Sequence, residues 1–130
     1  MSVPEAVDWL AYAESNLSAA KLLLHAGYYN PCLQEAQQAT EKALKAIVML
    51  SALPLKKTHS IRELKAILEE ALQDVDISID DCLLIDSIYL PSKYPLGSAL
   101  PDSAPDADVC SSCIAIAERA VMAAKACMAA

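Results

Sequence analysis

Phenylalanine is missing from this chain, and glycine occurs only twice, at Gly27 and Gly97. So low an aromatic share argues against a β-sandwich, because aromatic and β-branched residues are what strands are built from. Alanine and leucine dominate instead, and they are the strongest helix formers. Tyr28-Tyr29 is the only adjacent aromatic pair. No apolar run approaches the roughly 20 residues that cross a bilayer. No charged, then apolar leader is expected either, because Met1-Ser2-Val3-Pro4-Glu5 reads as a helix start. The 130 residues are one domain's worth, enough to bury a real core, with no internal repeat and no linker.

A positive balance is also lacking. The net charge of −7 works against general nucleic-acid binding, because an acidic surface repels phosphate, so RNA is not an expected partner. The charge is uneven, however. From Lys42 to Lys65 there are six Lys/Arg and one acid, giving +5; from Ala66 to Asp108 there are ten acids and one Lys, giving −9. One end is expected to be cationic and suited to an anion, the other anionic and suited to a subunit or partner; solvated helix faces would give the same pattern. Five cysteines, an odd number, fit a reducing cytoplasm. Cys110-Ser111-Ser112-Cys113 has CxxC spacing but no second pair and no nearby His. These thiols read as packing groups, and no metal or cofactor is expected.

Five helices can be read. Val3, Leu10, Leu17 and Leu24, with Ala6, Ala13 and Ala20 between them, form one face of a helix that opens on a Ser2–Glu5 capping box and ends at Gly27. Asn30-Pro31 predicts the start of a second, with Asn30 as N-cap and Leu33, Ala36, Thr40, Ala43, Leu44 and Ile47 inside. It stops before Pro54. Ser60 to Glu63 is another capping-box pattern, for a third helix to about Leu72. Ser78 to Asp81 opens a short fourth, ended by Pro91. The last runs from about Asp106, with Val109, Cys113, Ile116, Ala117, Ala120, Ala124 and Cys127 inside. Short connections favour antiparallel neighbours, so the expected fold is all-α: a single domain over 1–130, an up-and-down bundle of four to five helices. The 91–105 loop is longer than packing requires, and such loops are often functional.

Three clusters carry chemistry. Gln37, Glu41 and Lys45 step off the apolar arc of the second helix in increments of about 40° at 100° per residue. They form one wall of a pocket, or else Gln37 and Glu41 merely bond to a neighbouring helix end while Glu41 and Lys45 form an i,i+4 ion pair. Lys57 and His59 arrive at the start of the third helix, where backbone N–H groups suit a phosphate. Histidine is the side chain suited to moving protons near neutral pH, so His59 is the one candidate for proton transfer; it could equally cap or pack. Lys93-Tyr94-Pro95 holds Tyr94 extended, over a pocket or against the bundle. Lys45, Lys57, His59 and Lys93 are expected around one depression lined by Gln37 and Tyr94.

These blocks have a family look. Gly27-Tyr28-Tyr29, residues 37–46 (Gln-Gln-Ala-Thr-Glu-Lys-Ala-Leu-Lys-Ala), Lys57-Thr58-His59-Ser60-Ile61 with Leu64, and Lys93-Tyr94-Pro95 resemble the small stand-alone HEPN domains over nearly the whole chain. Such domains resemble the helical half of kanamycin nucleotidyltransferase. The resemblance implies a homodimer that binds a nucleotide or other anion, a minimal nucleotidyltransferase partner, or both, in a toxin–antitoxin arrangement. Many HEPN proteins are ribonucleases with an Arg-x4–6-His motif. Here neither Arg62 nor Arg119 has a His at that distance, Lys93 replaces the loop's usual Arg, and Leu96 replaces the acid often found after the Pro. Lys lacks the guanidinium fork for bidentate phosphate recognition. The leading expectation is therefore a non-catalytic binding bundle. A metal-independent ribonuclease using His59 with Lys45, Lys57 or Lys93, and an interaction module without ligand, are the alternatives.

Overall fold

The computed structural model describes residues 3–54, 57–88 and 104–130. Five helices follow in order: α1 (Val3–Ala26), α2 (Tyr29–Leu50), α3 (Ile61–Glu70), α4 (Ile79–Asp86) and α5 (Ala107–Ala129). No strand occurs among the described residues. The all-α expectation holds.

α2 is the centre. It packs against α1, α5 and α3, while α4 rests on α3 and α5. Its surroundings explain its burial pattern: Cys32, Leu33, Ala36, Ala39, Ala43, Leu44, Ala46, Ile47 and Val48 are all buried, more of the circumference than one amphipathic stripe. Ala6, Leu10, Ala13 and Ala20 of α1 face it, as do Cys113, Ile116, Ala117, Ala120 and Ala124 of α5. The many alanines let the backbones approach closely.

Helix ends show where local chemistry decides. Gly27 has φ +83°; its N–H bonds Leu24 O at 3.1 Å and the Tyr28 N–H bonds Leu23 O at 2.9 Å, a Schellman close to α1. The same pattern closes α2 at Ala52 (φ +56°) and α3 at Leu72 (φ +60°), with Ala and Leu where glycine is usual. α2 starts at Tyr29, not after Asn30: Tyr28 is its N-cap, without a side-chain hydrogen bond, and Pro31 lies within the first turn, where its missing N–H costs nothing. The α4 capping box is complete, with Ser78 and Asp81 bonding each other's backbone at 3.0 Å. α4 stops at Asp86, five residues ahead of Pro91. Arg119 of α5 clamps this corner, donating to Asp81 Oδ2 at 3.0 Å and to the Asp76 carbonyl at 2.9 Å. Asp106 caps α5. The Ser2 cap of α1 and residues 91–103 of the long loop lie outside the described residues.

Candidate functional site

Four of the expected site residues meet in one network. Gln37, Glu41 and Lys45 lie one turn apart on α2, and the structure buries them at 5%, 4% and 6% exposure instead of leaving them at a core edge. Glu41 is the hub. Its Oε2 accepts from Lys45 Nζ at 3.0 Å, and its Oε1 accepts from Gln37 Nε2 at 3.1 Å. Gln38 Nε2 in turn donates to Gln37 Oε1 at 2.8 Å. His59 Nδ1 sits 3.2 Å from both Glu41 oxygens. An ionised carboxylate only accepts, so Nδ1 carries the proton and Nε2 is left for an incoming group. The His59 side chain is 77% exposed, so the buried column ends at the surface in an imidazole of fixed tautomer.

Burial pushes the Glu41 carboxyl up. Hydrogen bonds from Lys45 and Gln37, the Lys45 charge and the bond to His59 outweigh it and hold the group below its ordinary value. The column thus contains a buried carboxylate and a buried ammonium that neutralise each other. Lys45 also lies 5.5 Å from the centroid of the Trp9 ring, a cation–π distance.

The start of α3 is not open to a ligand in the expected way. Asp86, at the end of α4, accepts from Ile61 N at 2.8 Å, Arg62 N at 3.1 Å and Ser60 Oγ at 3.1 Å. The Ser60 hydroxyl accepts from Glu63 N at 3.2 Å, while the Ser60 N–H goes to Thr58 Oγ1 at 3.1 Å. An internal carboxylate therefore fills the place where backbone N–H groups would hold a phosphate. Lys57, two residues before His59, is exposed. Lys93 and Tyr94 lie outside the described residues.

Sequence reading missed the α1 side. A cavity of about 430 Å³ is lined by Glu5, Asp8, Trp9, Tyr12 and Lys42. Lys42 Nζ lies 5.5 Å from the Tyr12 ring centroid and donates to Asn16 Oδ1 at 3.0 Å; Asn16 donates to Glu35 at 2.7 Å. The sequence offered only a lone tryptophan with a tyrosine three residues on; that they meet Lys45 and Lys42 comes from the packing of α1 on α2. His59, Glu41, Lys45 and Trp9 thus form an unbroken chain of contacts from the α3 rim to the lining of this cavity.

The cysteines stand apart. Cys32, Cys82, Cys110 and Cys113 are buried and Cys127 is half-buried, all as free thiols. Burial pushes Cys110 and Cys113 up to about 12, aided by neighbouring thiols. Such groups stay protonated and inert. No cluster of three or more His, Cys, Asp or Glu among the described residues could hold a metal ion. Nor is any described helix long and apolar enough to cross a membrane.

A family model described as HEPN domain matches residues 6–127. No curated protein matches the chain. Two solved structures are similar. An archaeal HEPN homologue, ST0689, superposes with a TM-score of 0.71 at 25% identity, over 95% of this chain and 97% of that one. TT1696 from Thermus thermophilus superposes with a TM-score of 0.74 at 29% identity, over 94% of this chain and 97% of that one.

Proposed function

The chain belongs to the HEPN domain family, and from that premise we propose that it is a nucleotide-binding module without catalytic activity. The base and sugar occupy the Trp9–Tyr12 cavity, and the phosphates reach the rim held by Lys57 and His59. One observation carries this reading: the contact chain His59–Glu41–Lys45–Trp9 joins an exposed imidazole to an aromatic cavity. A volume of about 430 Å³ is in the range of small-ligand pockets. Aromatic faces stack on bases, and Asp8 can accept from base amines or ribose hydroxyls. Lys93 and Tyr94 belong to the same proposed site on sequence grounds. Calorimetry with ATP and with sulfate tests it. Lys57→Ala weakens both ligands by roughly 1–3 kcal/mol, the worth of a charge-assisted hydrogen bond. Tyr12→Ala weakens ATP alone. Absence of heat with either ligand turns the reading into that of an interaction module.

The same reading makes the protein a cytoplasmic homodimer that partners a minimal nucleotidyltransferase, in a toxin–antitoxin pair. Support comes from the family resemblance and from five free thiols. Light scattering at tens of micromolar, about the range for moderate affinity, gives twice the 13.9 kDa chain mass. A monomer there refutes the dimer.

A second reading has one specific observation behind it. A histidine whose Nδ1 is held by a buried carboxylate, with Nε2 outward, is the arrangement of a positioned general base. Metal-independent RNA cleavage that His59→Ala abolishes without unfolding the protein would replace the binding module with a ribonuclease.

A further inference from the structure

The far end of α3 presents a second surface. It lies about 15 Å along the helix axis from His59. A hollow of about 340 Å³ is lined by Leu53, Pro54, Ile67, Glu70 and Ala71, four of them apolar. A second hollow, of about 290 Å³, is lined by Glu69, Leu72, Gln73 and Asp74. Leu72, the residue after Ala71 of the first hollow, lines the second and is 92% exposed. It occupies the left-handed position of the α3 close, φ +60°, where glycine or asparagine is the ordinary choice. Neither burial nor backbone preference accounts for a leucine here.

The rim is acidic. Lys65 pairs with Glu69 and Arg119 with Asp81, but Glu70, Asp74, Asp76 and Asp80 form no ion pair among the described residues. Six acids, Glu69, Glu70, Asp74, Asp76, Asp80 and Asp81, fall in this stretch of the chain against Lys65 and Arg119, so the local balance is negative.

We infer that this end of the bundle is a docking surface for a basic, amphipathic segment of a partner protein. The partner's aliphatic side chains enter the Leu53–Ile67–Ala71 hollow against Leu72, and its Lys or Arg meet Glu70, Asp74 and Asp76. The charge excludes nucleic acid and anionic lipid as occupants, because their phosphates would face unpaired carboxylates. It selects cationic polypeptide. The site is separate from the nucleotide site and does not depend on it.

The test uses the full chain and a synthetic peptide with leucine at helical spacing and lysine elsewhere, beside a control with serine for leucine and the same charge. Titration into isotope-labelled protein, followed by NMR, shifts the amides of Leu53, Ile67, Ala71 and Leu72. The leucine peptide binds about tenfold tighter than the control, the share expected of one buried aliphatic side chain. Leu72→Asn suits the left-handed backbone, so its melting temperature is no lower than that of wild type. It nevertheless loses about the same tenfold in affinity. Equal binding of both peptides, shifts centred elsewhere, or unchanged affinity in Leu72→Asn overturns the proposal. So does a dimer, without peptide, that Leu72→Asn dissociates: the occupant is then a second copy of this chain.

Discussion

Removing the Glu41 carboxylate should be the most damaging single change in the polar column. Glu41→Ala leaves the Lys45 ammonium, only 6% exposed, without its counter-charge. Breaking one side of a buried ion pair costs about 3–5 kcal/mol, because a desolvated charge is left alone. Gln37 also loses its acceptor, while the bond to His59 adds little, since that ring is 77% exposed. At roughly 3–5 °C per kcal/mol for a domain of this size, the melting temperature falls on the order of 10–20 °C. Urea unfolding is the assay, with the midpoint falling and the slope unchanged. Glu41→Leu combined with Lys45→Met, which removes both charges and keeps the volume, returns to within about 1 kcal/mol of wild type or exceeds it. A loss below about 1 kcal/mol in Glu41→Ala would mean that the pair is solvated and the column is not a desolvated network. A double variant as unstable as the single would place the cost in packing instead. The pH dependence has a definite sign. The folded carboxyl lies below its unfolded value, near 4.3 for Glu. The wild-type advantage over Glu41→Gln is therefore full above that value and is lost as pH falls through the lower, folded pKa.

Asp86→Ala uncaps α3 from outside and should cost about 1–2 kcal/mol by denaturant melt, with loss of hydrogen-exchange protection concentrated at Ile61 and Arg62. Cys110 and Cys113, buried and with thiols pushed up to about 12, should resist iodoacetamide in the native state and react once urea unfolds the chain, as read by mass spectrometry. Gly27→Ala meets no atom within 4 Å of the new Cβ, so only backbone strain at φ +83° acts, about 1–2 kcal/mol by thermal melt.

The fold was legible because its elements have local signatures. Ser60, Ser78 and Asp106 cap as their side chains allow, and Gly27 ends α1 where it must. The errors fall where tertiary packing overrides local chemistry. α2 begins at Tyr29 without a side-chain cap, and Asn30 enters the helix. Ala52 and Leu72 take left-handed positions that nothing in their residue type announces. The site was half legible. Helical spacing placed Gln37, Glu41 and Lys45 on one line, but a single helix cannot reveal what covers it. The partner of His59 is Glu41, 18 residues earlier, and the partner of the α3 start is Asp86, 25 residues later. Both acids are ordinary surface-type residues in sequence, and only the packing of α3 between α2 and α4 gives them these roles. Trp9 and Tyr12 escaped for the same reason: α1 showed its apolar stripe clearly, and the aromatic residues sit beside that stripe.

The column itself argues for function over stability. α2 is otherwise packed with alanine and aliphatic residues, and a buried pair such as Glu41–Lys45 is seldom worth more than the apolar residues that could replace it. Among the described residues, no buried side-chain nitrogen or oxygen lacks a partner, so the network is complete. A complete but costly network fixes geometry. What it fixes is the orientation of one exposed imidazole and the seat of one ammonium against Trp9. Lys45 holds Glu41 ionised, Glu41 fixes the His59 tautomer, and Lys45 supports the tryptophan face that lines the cavity. If the column served packing alone, the double variant carrying Glu41→Leu and Lys45→Met would leave ligand binding intact along with stability. The proposed function requires the opposite separation: a protein as stable as wild type whose ATP affinity is lost.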